Sequence, residues 1–337
     1  RQKPVDSQSV STPSSARGFS LLHPDRWVAA WTLVAFLLRL ANSLAQRGNP
    51  FLAYLPVDQG AYDRWAQRIA GGEWLGRSVF YQDPLYPYFL GLLYATIGRH
   101  LVVVLVLQGL LGALNVPLLW AIATRLWGAR AGRIAAVLAA LYAPFIFYDG
   151  LVLKTFLEVL LLNAAVLATL WAADAADPSR EKSSPAGSRA ANAMARRGLA
   201  AGLLLGIGSL ARANYPLLAP LLAAWLLWAG GRPSRAVSRG QDAGQRGGGH
   251  AHLPRDPLRL GLSRPTRAGS IGAAAVFAGM LLVLLPALIR NRMVGHDWVL
   301  TTSQAGQNFY IGNCATNQSG AYQAPAFVRP DPQHIPA

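Results

Sequence analysis

Charged residues and cysteine are both scarce in this sequence. Charged side chains make up 14% of its 337 residues, whereas soluble domains carry about 25%. The single cysteine, Cys314, excludes an internal disulfide and any metal site built from several cysteines. Apolar residues are correspondingly abundant, at 53% of the chain, and the mean hydropathy is +0.27. This balance is typical of a protein that lies in a membrane.

Acidic residues are outnumbered by basic ones, which gives a net charge of +16. The basic residues lie in connectors between apolar runs, without the interleaved aromatic side chains that base stacking needs. This distribution favours the positive-inside rule of membrane proteins and indicates no nucleic-acid partner.

Familiar catalytic and metal-binding motifs are missing as well. There is no Walker loop, no G-x-S-x-G motif, and no HExxH spacing among the histidines. We therefore predict no metal-ligating residues. Whether a divalent cation serves as a cofactor is not decided by the sequence.

Long apolar runs dominate what is present, and we predict an all-α, polytopic membrane protein. A bilayer requires about 20 apolar residues per helix. About seven runs qualify as transmembrane helices, at 27–45, 101–126, 134–148, 151–173, 198–210, 215–228 and 270–289. A shorter run at 88–97 is predicted to be interfacial or re-entrant, and the first loop is predicted to carry short amphipathic helices.

The basic connectors divide the chain and orient it. They occupy 124–133, 174–197 and 230–269, at alternate ends of consecutive runs, and are therefore expected in the cytoplasm. We expect a disordered cytoplasmic segment at 1–26 and a membrane core at 27–289. Within that core, 46–100 is predicted to be an external catalytic loop and 230–269 a basic cytoplasmic loop. The residues at 290–337 form an external polar tail.

The external loop contains the most informative polar stretch, from Pro56 to Pro87. Helical spacing there puts Asp58, Tyr62 and Trp65 on one face, together with Ala66 and Ile69. Gly71 and Gly72 are expected to end this helix. Asp58 has two interpretations that do not exclude each other. It can be the N-cap of the helix, the acid of an active site, or both.

Several cations should meet these acids outside the membrane. The orientation brings Asp58, Asp63 and Asp83 to the same side as Arg212, Arg290 and Arg292, with Lys154 near the boundary. Guanidinium groups match phosphate oxygens with paired donors, so a phosphate-bearing substrate fits this combination. The alternative is that the arginines pair with lipid headgroups or with the carboxylates themselves. Arg212 is the most informative, because it lies in a short break between two apolar runs.

Four places in the chain carry a family pattern. Asp58, Tyr62 and Ala66 begin a D-x3-Y-x3-A-x4-G sequence, and Asp83-Pro84-Leu85-Tyr86-Pro87 contains a P-L-Y-P segment. Further along stand Leu210-Ala211-Arg212-Ala213-Asn214, Arg290-Asn291 and a run from Gly306 through Asn308, Tyr310 and Asn313 to Tyr322. From about residue 27 to 322, their order resembles the GT-C class of multi-spanning glycosyltransferases. The similarity is specifically to bacterial relatives of the protein O-mannosyltransferases, family 39.

The resemblance implies a sugar transferase of the inner (plasma) membrane, multi-pass, with its active site outside the cytoplasm. Its partners would be the lipid bilayer, a polyprenyl-phosphate sugar donor and a protein, lipid or glycan acceptor. Asp58 would be the catalytic base, since a phosphate leaving group needs no acid. The resemblance assigns substrate binding to Tyr62, Asp83, Tyr86, Arg212, Arg290, Asn308 and Tyr310.

Two features depart from the family pattern, and two other functions stay open. Members usually carry more spans and an external C-terminal domain, so a truncated tail is one interpretation of residues 290–337. Lys154 stands where relatives often have an acid. A transporter or flippase of lipid-linked substrates would need polar residues at mid-membrane, such as Arg39, Lys154 and Glu158. A non-catalytic membrane scaffold is the third function.

Overall fold

The computed structural model describes residues 26–176, 186–230, 266–315 and 317, and every regular element in this part of the chain is helical. The first elements are α1 (Arg26–Ala45), a 3₁₀ turn (Gln46–Gly48), α2 (Pro50–Ala53), α3 (Val57–Ala70), α4 (Leu85–Ile97), α5 (Leu101–Ala113) and α6 (Asn115–Trp127). They are followed by α7 (Ala129–Leu141), α8 (Ala143–Asp149), α9 (Thr155–Ala173), a 3₁₀ turn (Asp174–Ala176) and α10 (Ala186–Ala211). The last are a 3₁₀ turn (Tyr215–Leu218), α11 (Ala219–Gly230), α12 (Arg267–Gly295) and α13 (Gln304–Asn313).

Long apolar helices make this an all-α membrane protein. Four stretches of the described chain are long and apolar enough to cross a bilayer: 26–48, 101–127, 155–173 and 267–295. A fifth span is counted if α7 and α8 are taken together, although they meet at a bend of 46°. Two other apolar helical stretches, α4 and 215–229, are shorter. Length and composition thus give four or five spans where the sequence predicted about seven.

The helix boundaries differ from the sequence prediction in three places. The run at 134–148 is broken, because Pro144 stands in the first turn of α8 and cannot continue a preceding helix. Helix α10 begins at Ala186, inside the segment that was interpreted as a connector, where closely spaced alanines favour a helix. Helix α13 forms within the segment that was predicted to be a polar tail, where a structured loop and no further helix was expected.

Helix α12 also extends further than its apolar run. It ends at Gly295, where His296 takes a left-handed conformation with φ 56°. Arg290, Asn291 and Arg292 are therefore residues of the last helical turns and do not belong to a polar tail. Their backbone belongs to the helix, whereas the side chains of Arg290 and Asn291 contact the loop between α3 and α4.

The closest helix packing is between α10 and α12, and glycine makes it. A Cβ atom at Gly202 would overlap the carbonyl oxygen of Val276, and one at Gly279 would overlap that of Leu199. Around this contact lies a core that includes Met194, Leu205 and Leu284. Small residues that let two helices approach are what the glycine spacing in 198–210 predicts.

The two ends of the helix bundle carry different side chains. At one end, Arg125 pairs with Asp174 at 3.3 Å and Arg197 donates to the carbonyl oxygen of Trp171. At the other end, the loop between α3 and α4 meets the segment before α9 and the break after α10. This is the convergence of polar segments that the alternating basic connectors predict. The predicted disordered segment, most of the basic 230–269 loop and the last part of the tail lie outside the described residues.

Candidate functional site

Asp58 lies in the first turn of α3 but does not cap it. The N-cap is Pro56, which offers no side-chain hydrogen bond, so the interpretation of Asp58 as N-cap was wrong. The carboxylate is exposed and accepts a 3.1 Å hydrogen bond from Nε2 of Gln82. Val57, just before it, has a φ of 41°, which is an uncommon backbone conformation for a β-branched residue. Among the described residues, Asp58 is thus held by one neutral donor and keeps an oxygen available for a ligand.

Gln82 is followed by a buried acid. Asp83 is 2% exposed and accepts a hydrogen bond from Nζ of Lys154. Burial raises the pKa of the Asp83 carboxyl, and the ammonium of Lys154 acts in the opposite direction. Oε1 of Gln82 is also buried and has no hydrogen-bond partner among the described residues.

Lys154 connects three segments of the chain. Besides Asp83, its ammonium donates to the carbonyl oxygen of Ala211 at 2.9 Å and lies 3.3 Å from Oε1 of Glu158. Lys154 stands immediately before α9, and Glu158 follows one turn later on the same face. The loop, the start of α9 and the end of α10 therefore share one cation.

Glu158 also contacts Arg212. Nη1 of Arg212 donates to Oε2 of Glu158 at 2.9 Å, and this carboxylate is the main reason why the pKa of Arg212 is raised. The Arg212 side chain is still 52% exposed, so about half of it is accessible to solvent. One alternative for the arginines, pairing with a carboxylate, therefore holds for part of this guanidinium. Tyr215 supports the arrangement by donating to the backbone oxygen of Glu158 at 2.8 Å.

Sequence reasoning gave Glu158 no role in the site. It counted this residue only among the few polar positions of a span. The sequence does contain a signal for this role: Glu158 follows Lys154 by four residues within an apolar run. Ionisable residues in such runs are seldom without a partner.

Tyr62 and Tyr86 lie next to each other beneath this chain of charges. Their ring centroids are 5.4 Å apart in an edge-to-face arrangement. Burial raises the pKa of Tyr62, and the charges of Asp58 and Asp83 raise it further. The Tyr86 hydroxyl donates to Oε1 of Gln108 at 2.6 Å, within the bundle. Tyr62 thus lies near the predicted acid, whereas the hydroxyl of Tyr86 faces the core.

Arg290 fixes the loop. Its guanidinium donates to the carbonyl oxygens of Leu75 and Ser78 and lies 3.9 Å from the ring centroid of Phe80. It also lines a small cleft with Trp65 and neighbouring loop residues. These contacts give Arg290 a role in positioning the loop, in addition to the predicted role in substrate binding.

Asn308 and Tyr310 are placed on α13. Both are exposed, next to the buried Ile311. The start of this helix reaches the loop, since the backbone N–H of Ser303 donates to the carbonyl oxygen of Phe80 at 2.9 Å. The structure therefore places the start of α13 against the loop at Phe80.

Asp63 is fully engaged elsewhere. Arg99 donates to both of its oxygens, at 2.8 and 3.0 Å, and Tyr94 donates at 2.7 Å. Gln67 adds another hydrogen bond. Arg292 donates to the backbone oxygen of His296 and lies over the Trp298 ring. Neither residue belongs to the site around Asp58.

The site therefore consists of six side chains: Asp58, Gln82, Asp83, Lys154, Glu158 and Arg212. They form two sets of contacts, Asp58 with Gln82 and Asp83 through Lys154 and Glu158 to Arg212, which are joined because Gln82 and Asp83 are neighbours in the chain. The first set begins at an exposed carboxylate and the second ends at a half-exposed arginine side chain. Such an arrangement offers a base at one end and an anion-binding group at the other. Among the described residues, no group of three or more His, Cys, Asp or Glu side chains has the arrangement of a metal site.

Comparisons with known proteins give no match: no protein-family model, no characterised protein and no solved structure is similar to this chain.

Proposed function

We propose that this protein is a membrane glycosyltransferase. It transfers a sugar from a polyprenyl-phosphate donor to a protein, lipid or polysaccharide acceptor on the extracytoplasmic side of the membrane. The observation that carries the proposal is the line of contacts from Asp58 to Arg212, which combines a free carboxylate with exposed guanidinium donors. The order of the family-like motifs supports the same reaction.

The chemistry assigns a role to each end of the site. The acceptor hydroxyl attacks the anomeric carbon of the sugar, and the bond from that carbon to the phosphate oxygen breaks. The lipid phosphate leaves with the electron pair, and the hydroxyl proton passes to Asp58. Arg212 binds the phosphate through the donors that Glu158 does not use, and stabilises the charge that develops on it.

The membrane arrangement belongs to the proposal as well. We infer seven spans, with α10 and α11 completing the set, in the inner membrane, and an active site that faces away from the cytoplasm. Support comes from the basic residues around Arg125 and Arg197 at the opposite end of the bundle. In a Cys314→Ser background, Ser78→Cys should react with an impermeant thiol reagent in intact cells and Ser238→Cys should not. The reverse labelling pattern would place the site in the cytoplasm.

A transporter is the second candidate, and one observation favours it. Arg39 and Asp149 form a 2.6 Å ion pair that is buried between helices of the bundle. Polar residues inside a bilayer often mark a transport path. Here, however, Arg39 also donates to the carbonyl oxygen of Ala35, and the Asp149 carboxylate packs against Gly112. Such close packing is typical of a contact between helices and suits a moving substrate less well.

Asp58→Asn tests the catalytic role. The amide oxygen can still accept from Gln82, so the fold should be kept while proton abstraction is lost. General-base catalysis contributes about 10²–10⁴-fold, and turnover should fall by that factor. The assay measures sugar transfer and donor binding by the purified chain in lipid vesicles, with a polyprenyl-phosphate sugar as donor.

Asp297→Asn is the matched control, because Asp297 is exposed and accepts only from the neighbouring Trp298 backbone N–H. Its turnover should equal that of the parent. An Asp58→Asn variant that transfers sugar as fast as the parent would remove Asp58 from the mechanism.

A further inference from the structure

The ammonium of Lys154 occupies a position that is chemically unusual for a lysine in an apolar helical bundle. It is surrounded by oxygen atoms from three separate segments: the carboxylate of Asp83, the carboxylate of Glu158 and the carbonyl group of Ala211. Two of the three are charged. Both carboxylate side chains are buried, at 3% and 8% exposure.

Two carboxylates and a backbone carbonyl are also a ligand set that hard divalent cations prefer. Mg²⁺ and Mn²⁺ draw such oxygens together from separate parts of a chain. An ammonium group does the same with three N–H donors and one positive charge, on a flexible stem. Oδ1 of Asp83 and Oε1 of Glu158 accept no hydrogen bond from the described residues, so both carboxylates retain acceptor capacity.

We propose that Lys154 is a built-in cation, which holds Asp83, Glu158 and the end of α10 together in the way that a divalent metal ion would. Its ammonium sits between the two carboxylates and sets the position of Glu158. Glu158 in turn orients Arg212. Lys154 is therefore a positioning residue, and its presence makes the protein independent of a divalent cation at this place.

The proposal differs from an ordinary ion pair in one measurable respect. If Lys154 only neutralises two acids, its removal destabilises the fold and the identity of added cations is irrelevant. If it stands in a cation position, its removal uncovers a site for a divalent cation. Lys154→Ala leaves both carboxylates, the Ala211 carbonyl group and the volume of the lost side chain.

The first experiment measures thermal unfolding of the purified full chain in detergent, with MnCl₂, MgCl₂ or EDTA. The parent should unfold at the same temperature in all three. Lys154→Ala should unfold at a lower temperature, which millimolar Mn²⁺ raises by roughly 3–6 °C and EDTA lowers again. Direct Mn²⁺ binding, followed by electron paramagnetic resonance, should appear only in the variant.

A second variant shows whether the carboxylates are the ligands. Lys154→Ala combined with Glu158→Gln keeps the space but loses one charged ligand, and its response to Mn²⁺ should disappear. A folded Lys154→Ala protein that ignores Mn²⁺ would overturn the proposal. The proposal would also be overturned if Mn²⁺ raised the unfolding temperature of the parent protein as much as that of the variant.

Lys154→Asn covers the case in which Lys154→Ala yields no folded protein. The shorter amide adds an oxygen ligand and fills part of the space. Recovery of folded Lys154→Asn only when Mn²⁺ is present during purification supports the built-in cation, and recovery that is equal with Mn²⁺ and EDTA contradicts it. These readouts use no sugar transfer, so their failure is distinct from failure of the proposed function.

Discussion

Asp63 and Asp83 are both buried acids of the segment between α2 and α5, but their surroundings differ. Asp63 accepts from Arg99, Tyr94 and Gln67, which all belong to α3, α4 or the turn after α4. Asp83 receives one hydrogen bond from a side chain, that of Lys154, and this side chain also serves Glu158 at the start of α9. One acid is enclosed by its own hairpin and the other is connected to distant segments.

The difference shows which acids have capacity left for a ligand. A carboxylate has about four acceptor positions, and at Asp63 the neighbours fill them with well-aligned donors. The contacts of Asp83 lead outward through Lys154 and Glu158 to Arg212, and its chain neighbour Gln82 contacts Asp58. Asp63 thus acts as scaffold, whereas Asp83 is part of a line of charges that is open to solvent at both ends.

The largest effect is expected from Asp63→Ala. Removing a buried partner of an ion pair costs about 3–5 kcal/mol. Arg99 is partly exposed and can be hydrated again, so we expect a loss of about 2–3 kcal/mol in the free energy of unfolding. Denaturant titration of the purified chain in detergent micelles measures this loss.

Asp297→Ala is the control for this change, because it removes an exposed carboxylate and should alter the free energy of unfolding little. The comparison would fail if Asp63→Ala were as stable as the parent but no longer bound the lipid-phosphate donor. Asp63 would then be a ligand-binding acid like those of the site.

Arg212→Lys should have a smaller effect, and on binding rather than on folding. Lysine keeps the charge but has no forked donor set, so it cannot hold Glu158 and a phosphate at the same time. We expect donor binding to weaken about tenfold, which corresponds to roughly 1.4 kcal/mol. A titration with polyprenyl-phosphate sugar, read by tryptophan fluorescence, provides the measurement.

Arg77→Lys is the matched control, since Arg77 is exposed and has a weak 3.4 Å pair with Glu73. Its donor affinity should be unchanged. Equal affinities for the parent and for Arg212→Lys would show that the phosphate does not use the guanidinium of Arg212.

The smallest effect is expected from Tyr94→Phe. This change removes one of the hydrogen bonds to Asp63 and keeps the ring, at a cost of about 1 kcal/mol in unfolding free energy. Tyr54→Phe, at an exposed residue, supplies the baseline. A Tyr94→Phe protein as stable as this baseline would mean that Arg99 alone is enough to hold Asp63.

The sequence predicted well what depends on local pattern. Runs of apolar residues gave the long helices, and the alternation of basic connectors gave the common end at which Asp83, Lys154 and Arg212 meet. It could not give the partner of each charge, because three aspartates in one loop look alike until the fold places their neighbours. Asp63 and Asp83 differ in their surroundings because their partners differ. These partners, Arg99 and Lys154, lie 36 and 71 residues further along the chain.

Helix boundaries were also predicted poorly from the sequence. Tertiary contacts let α12 continue through Arg290 to Gly295 and let α13 form over a polar sequence that alone favours a loop. The N-cap assigned to Asp58 failed for a related reason. Its carboxylate is attracted to Gln82, and the helix starts one residue earlier, at Val57.

The hydrogen bonds between α12 and the loop that joins α3 to α4 have a consequence for how this protein is made. The backbone N–H of Phe80 donates to the side chain of Asn291, which is separated from it by 211 residues. At about 5–20 residues per second, a ribosome needs roughly 10–40 s to cover that distance. Throughout this interval the loop that carries Asp58 and Asp83 is already synthesised, but its last donors and acceptors are still unpaired. The loop is therefore held in its final position only after α12 has been synthesised, so a substitution at Asn291 would act first on the yield of assembled protein.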